Sequence, residues 1–208
     1  MALSAIALVS VEEVREVLGI NDNSQDTKIE RAIDEASAMI ETEFCGGRTL
    51  KKRTFTDLRV EGPCQRRELY PDAWPIDVSG TIAISVNGTA QTVWTEEADG
   101  DPATFDVMAF SDHFFRRAGW APYSGIRRNV VLTYDGGYDP VPKDLRSATV
   151  RFIRRRWGQR FQQMPDLASV TGAGGGFTAM DAGREISDAS EWAEISRVFE
   201  FYRSRRVY

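Results

Sequence analysis

The chain has one histidine and two cysteines, Cys45 and Cys64, in 208 residues. A structural zinc site takes about four Cys or His ligands. No Cys-x-x-Cys pair is present, so no zinc module is expected, and the two thiols are expected to be reduced. No run approaches the roughly 18 apolar residues of a membrane span. The apolar opening, Met1 to Ser10, is short and carries no basic residue, so it is not read as a signal peptide. A soluble protein made in the cytoplasm is the expectation. Positive charge is also in short supply, with 26 Lys and Arg against 31 Asp and Glu and a net charge of −5. A generic nucleic-acid-binding domain is basic overall, which leaves room only for a local basic face.

Catalytic constellations are lacking as well. No Gly-x-Ser-x-Gly elbow is present. The run Gly172 to Gly176 is not followed by the Lys-Ser/Thr of a phosphate loop, and no strand precedes it. The acidic pairs Glu96-Glu97 and Asp99-Asp101 do not have calcium-loop spacing. His113 stands beside Phe114 and Phe115 without a second ligand, and reads as a surface or packing residue. No enzyme activity, no metal and no cofactor are expected.

What is present is a core and a clear order of elements. Hydrophobic residues make up 42% and aromatics 11% of the chain, enough to bury a core. Ser10-Val11-Glu12-Glu13 forms a capping box, and Val11, Val14, Val17 and Leu18 follow at helical spacing before Gly19. After the polar turn Asn21 to Ser24, the residues Ile29, Ala32, Ile33, Ala36, Ile40 and Phe44 mark one stripe of a second helix. From Leu50 to Tyr138 the period becomes two. Thr81–Val86 and Thr89–Trp94 flank Asn87-Gly88, a strong hairpin signal. Thr104–Met108 and Asn129–Tyr134 are further strands, and the stretch between them, with Phe114, Phe115, Trp120 and Tyr123, reads as a long loop. Pro142 suits the first turn of a third helix. The Gly- and Ser-rich stretch 164–187 reads as a flexible loop. Trp192, Ile195, Val198, Phe199 and Tyr202 lie on one side of a last helix.

The expectation is a single domain over 1–208, mainly α with a β-rich insertion. It has four helices, at about 10–19, 25–44, 142–163 and 188–206, in a bundle. A central antiparallel hairpin or small sheet is inserted at about 50–138.

The sharpest local feature is the arginine content of the third helix: Arg146, Arg151, Arg154, Arg155, Arg156 and Arg160. The second helix by contrast carries Asp26, Glu30, Asp34, Glu35, Glu41 and Glu43 against Lys28 and Arg31. Arginine's planar fork pairs with carboxylate and phosphate alike. The helix therefore faces either DNA or an acidic surface within or between subunits.

The order of motifs resembles the phage head–tail connector (adaptor) family of long-tailed phages. The resemblance rests on Val11–Ile20, on Ile29–Glu41, on Val131–Tyr138 with Val141-Pro142-Lys143-Asp144-Leu145 and Ala148, and on Phe201-Tyr202-Arg203. It implies a structural virion protein without catalysis. A ring of about twelve copies would join the portal to the tail and line the DNA exit channel. The implied partners are other copies of the chain, the portal protein, a tail-completion or tail-terminator protein and the passing phage DNA, with no membrane. The implied location is the head–tail interface of the virion, with host cytoplasm during assembly. Within that frame Arg151, Arg154, Arg155, Arg156 and Arg160 are candidates for a subunit interface or the DNA channel. Trp192, Phe199, Tyr202, Arg203, Arg205, Arg206 and Tyr208 are candidates for docking to the portal. The competing reading is a nucleic-acid-binding regulatory or packaging module that uses the Arg-rich helix. It predicts tight, salt-sensitive duplex binding by the monomer.

Overall fold

The structure, a computed structural model, describes residues 3–61, 66–96, 100–120, 129–161 and 178–203, with side chains undescribed at 158–161 and 178–189. The chain divides into two compact units: Met1–Gly47 with Val141–Ser204, and Arg48–Pro140.

The first unit is helical. Helix α1 spans Val11–Leu18 and opens with the capping box, in which the Glu13 amide donates to the Ser10 hydroxyl and the Ser10 amide to the Glu13 carboxylate. Gly19, at φ 67°, closes α1 in the left-handed conformation that favours glycine. Helix α2 spans Asp26–Met39 and continues as a π-helical turn over Ile40–Phe44, where the Cys45 amide reaches back to the Ile40 carbonyl. The wider turn shifts the register of Phe44 from that of an uninterrupted α-helix. Helix α3 spans Lys143–Phe161 and α4 spans Thr178–Phe201. Ile29, Ile33, Ile40, Leu145, Ile153, Ile195 and Phe199 are all 0–1% exposed. Each such side chain contributes on the order of 1.5–3 kcal/mol through burial. The N-terminal stretch joins this core. Ala7, Leu8 and Val9 are buried, and the Leu8 amide donates to the Ser37 hydroxyl within α2.

The described residues of the second unit hold eight strands: β1 Arg53–Val60, β2 Glu68–Leu69, β3 Ala83–Val86, β4 Thr89–Gln91, β5 Val93–Thr95, β6 Val107–Ala109, β7 Phe114–Arg116 and β8 Val130–Gly136. They form two four-stranded sheets, ordered β1-β8-β3-β4 and β2-β7-β6-β5. Alternation along β8 buries Val130, Leu132 and Tyr134. These side chains share one core with Leu69, Val107, Phe114 and Trp120.

This overturns the expected helical bundle with one antiparallel hairpin or sheet insertion. Among the described residues there are four α-helices, but the β region is two sheets, and β5 pairs parallel to β6. The Asn87-Gly88 hairpin joins β3 to β4, with both residues at positive φ. The return strand then ends early. Thr92 breaks it, its amide and hydroxyl both donating to the Asp106 carboxylate, and Val93–Thr95 enters the other sheet. Those bonds hold the Asp106 carboxyl below its ordinary range. The stretch read as a long loop contains β7, and its Phe114 and Trp120 are core residues, the Trp120 indole donating to the Arg67 carbonyl. Tyr123 lies outside the described residues. Of the stretch read as a flexible loop, 164–177 lies outside the described residues, and from Thr178 the backbone is already α4.

The Gly136-Gly137-Tyr138 turn has a steric reason. A Cβ on Gly136 would stand 2.7 Å from the Ala73 carbonyl oxygen, and one on Gly137, whose φ is 110°, would stand 2.6 Å from the Lys51 carbonyl. The close approach lets Tyr138 exchange backbone hydrogen bonds with Leu50 and Lys52. It also places the Tyr138 hydroxyl 3.0 Å from the Arg48 guanidinium.

Candidate interaction surfaces

In the helical unit three arginines of α3 meet α4. Arg151 lies 3.1 Å from Glu194 and Arg154 lies 2.5 Å from Glu191. Arginines three apart on α3 thus face glutamates three apart on α4, in opposite order, as antiparallel helices require. That matched spacing is a signal in the sequence which the contrast with acidic α2 had hidden. Arg155 stands over the Trp192 ring at 5.8 Å. Arg156 stands over the Phe152 ring at 5.6 Å and contacts the Met39 thioether. Arg146 reaches Glu13 of α1 at 3.5 Å. The side chain of Arg160 lies outside the described residues.

The candidate docking residues of α4 have contacts of their own. Phe44 packs against Phe152, Trp192 and Phe199 with ring centroids 5.4–5.7 Å apart. The Cys45 thiol, fully buried, donates to the Phe199 carbonyl. The Tyr202 hydroxyl donates to the Asp144 carboxylate in the first turn of α3. Trp192, Phe199 and Tyr202 thus serve the subunit's own packing, whereas Phe201, 72% exposed, and Arg203 point to solvent. Arg205, Arg206 and Tyr208 lie outside the described residues.

A cleft of about 330 Å³ runs between α2 and α3. Helix α2 lends it Lys28, Arg31, Ala32 and Glu35, and α3 lends Ile153, Arg156 and Trp157. Arg31 bonds Glu35 at 3.0 Å and is 80% exposed. The sequence did not single this cleft out, because its walls come from segments more than a hundred residues apart. Past the outer end of α1, the Ser24 hydroxyl and amide hold the Asp22 carboxyl below its usual range.

Elsewhere the candidates are structural. His113 stacks between Tyr70 and Phe110 and bonds Asp112, consistent with packing. Among the described residues no three His, Cys, Asp or Glu side chains converge as metal ligands, and no helix is long and apolar enough to cross a membrane.

No curated protein matches the chain. Among solved structures, a chain from the neck of an empty GTA particle, computed with C6 symmetry, is 16% identical with a TM-score of 0.48. All of this chain and 95% of that one are covered. A chain from the virion of a native gene transfer agent (GTA) particle is 14% identical with a TM-score of 0.46, at the same coverage. Residues 9–73, which run from α1 through β2, match the model of the phage gp6-like head-tail connector protein family, and this bears out the resemblance read from the sequence motifs.

Proposed function

We propose that this chain is a structural head–tail connector subunit of a virion, which assembles into a ring between portal and tail and leaves a channel for DNA. The family match over residues 9–73 carries the reading, because it covers the capped α1, all of α2 and the first strands of the β unit. The role asks for rigid, self-complementary surfaces rather than a reaction centre. Arg151 and Arg154 favour protein contacts over DNA contacts, since each already holds a carboxylate that a phosphate would have to displace. In this role Arg151, Arg154, Arg155, Arg156 and Arg160 border a subunit interface or the channel. Arg203, exposed past the packed end of α4, contacts the portal, and Arg205, Arg206 and Tyr208 follow it in the sequence as further candidates.

Co-expression with the portal protein of the same genome tests the reading. A co-purifying complex with ring-shaped particles by electron microscopy is the expected result. A chain that neither binds portal nor self-associates, but binds duplex DNA tightly and in a salt-sensitive way, would overturn it in favour of the nucleic-acid module.

A further inference from the structure

Two pairs of adjacent arginines meet at one corner of the β unit. The pairing of Leu69 with Phe114 and of Glu68 with Phe115 sets the next residues, Arg67 and Arg116, opposite each other across β2 and β7. The Arg116 amide donates to the Arg67 carbonyl at 2.8 Å, and the Trp120 indole donates to the same oxygen at 2.9 Å. The Trp120 amide donates to the Arg66 carbonyl at 3.1 Å, and the Gly119 amide closes a turn onto the Arg116 carbonyl at 3.0 Å. Trp120 is 1% exposed and anchors the corner in the core. These bonds fix the backbone and use none of the arginine side chains. Arg66, Arg67 and Arg117 are exposed on it.

Like charges set across an antiparallel pair repel each other. The Arg116 guanidinium donates to two neutral oxygens, the Gln91 amide oxygen at 3.2 Å and the Gly119 carbonyl at 2.8 Å. Two carboxylates lie close and both are engaged: Glu68 accepts from the Tyr70 hydroxyl, and Asp106, which feels the charge of Arg116, accepts from Thr92. Arg66 has contacts of its own. Among the described residues the Arg67 and Arg117 guanidinium groups have no hydrogen bond or ion pair. Nor does the corner expose a large apolar side chain, since Tyr70, the exposed aromatic near it in sequence, stacks on His113. The centre of a protein interface is apolar and aromatic and poor in charge. A phosphate backbone is held by charge alone. A rigid corner of exposed arginines suits the second kind of partner.

We propose that this corner is the chain's contact with the phosphate backbone of duplex DNA, in which Arg67 and Arg117 each pair with a phosphate and Arg66 and Arg116 add to the local field. The contact is blind to sequence and weak for one subunit. Copies set in a ring present it repeatedly to one duplex, and the weak contacts then act together. The inference deepens the connector reading and rests on it for bringing duplex DNA within reach. It moves the DNA-facing surface from α3, where Arg151 and Arg154 already hold glutamates, to the β unit.

The full chain is titrated against a short fluorescent duplex by anisotropy at several salt concentrations. The logarithm of affinity should fall against the logarithm of salt with a slope of about −2 to −3. Arg67→Gln with Arg117→Gln should reduce that slope by about 2 and weaken binding about tenfold at low salt, with helical content and thermal midpoint unchanged. Arg67→Lys with Arg117→Lys keeps the charge and should keep the slope. Arg31→Gln with Arg59→Gln removes the same charge from exposed positions elsewhere and should leave the slope as it was. No duplex binding at low salt, or one slope for parent and corner variant, overturns the inference. An equal loss in the Arg31 and Arg59 variant also overturns it, because net charge would then suffice. If Arg151→Gln with Arg154→Gln removes the binding, α3 is the DNA surface and the inference falls. If the corner variant loses portal binding or self-association and keeps duplex binding, the corner faces protein and the inference falls. Portal co-purification by a chain that shows no duplex binding leaves the connector reading standing and removes this one. Duplex binding that depends on the corner, in a chain that ignores portal, does the reverse.

Discussion

In the helical unit Arg151 and Arg154 stand about half exposed, each against a glutamate of α4. In the β unit Arg48 is fully buried, with its guanidinium over the Trp74 ring, 5.3 Å from the Tyr138 ring and 2.7 Å from the Trp74 carbonyl. The same side chain therefore acts under two dielectric regimes. At the surface water competes for both partners and the net gain per pair is small. In the interior the guanidinium itself has been desolvated and its partners are at least half-buried, so losing the arginine removes the donor to the Trp74 carbonyl and the Tyr138 hydroxyl where water replaces it poorly. The exposed Arg151 and Arg154 pairs of the helical unit can therefore be lost cheaply, whereas the buried Arg48 of the β unit cannot.

The largest effect should come from the turn that makes this buried arrangement possible. Gly137→Ala puts a methyl group 2.6 Å from the Lys51 carbonyl at a φ of 110°. Strain and clash together should cost about 4 kcal/mol. A chemical-denaturation curve in which the β unit stays as stable as in the parent would break the comparison. Next comes Arg48→Met, which keeps the apolar stem over Trp74 but removes the donors to the Trp74 carbonyl and the Tyr138 hydroxyl. A loss of about 2–3 kcal/mol is expected. A neutral or stabilising outcome would mean that the buried cation can be dispensed with, as some buried ion pairs can.

The two units also differ in how far the sequence reveals them. α1 was legible to the residue, because the capping box and Gly19 are local signals. The stripe of α2 was legible too, though not its final π turn. The Asn87-Gly88 hairpin was visible for the same reason. The break at Thr92 was not, since it depends on Asp106, fourteen residues away. Nor was the burial of Phe114 and Trp120, which depends on pairing with the stretch around Arg67–Leu69. Arg48 carries no local signal, because nothing in its neighbours distinguishes a buried arginine from an exposed one. The candidate surface on α3 is legible as a run of arginines, but the carboxylates that pair with Arg151 and Arg154 lie on α4 rather than on the acidic α2, and only the matched three-residue spacing points to them.

The surface pairs give the third prediction. Arg151→Gln with Arg154→Gln should lower the stability of the free subunit by less than about 1 kcal/mol, because all four side chains keep contact with water. If the two pairs border an interface in the assembled ring, the same variant should impair assembly out of proportion to its thermal shift. Calorimetry on the subunit and sedimentation of the assembly separate the two effects. A loss near that of Arg48→Met would erase the contrast between surface and interior.

The smallest effect is one of pH, and it tests whether the β unit's periphery behaves like the helical surface. Lys52 and Asp77 pair at 2.5 Å, and Asp77 also accepts from the Ser79 hydroxyl and amide. The Lys52 ammonium, with Ser79, lowers the Asp77 carboxyl from 3.8 to about 2. The folded value lies below the unfolded one, so this contribution is fully present above pH 3.8 and is lost as the pH falls toward 2. The Lys52 ammonium is correspondingly raised, chiefly by Asp77, so its share persists below pH 10.5 and is lost only in stronger alkali. Lys52 and Asp77 both keep partial contact with water, and screening should hold the Asp77 contribution to under about 1 kcal/mol. Between pH 4 and 2, Asp77→Asn should therefore flatten the acid limb of the stability curve slightly, while leaving its slope near neutrality unchanged. An acid limb identical in parent and variant would mean that water already carries the charge of Asp77. A much steeper difference would mean that the pair is coupled to the buried interior after all, and that the boundary between the two dielectric regimes lies further out than Arg48.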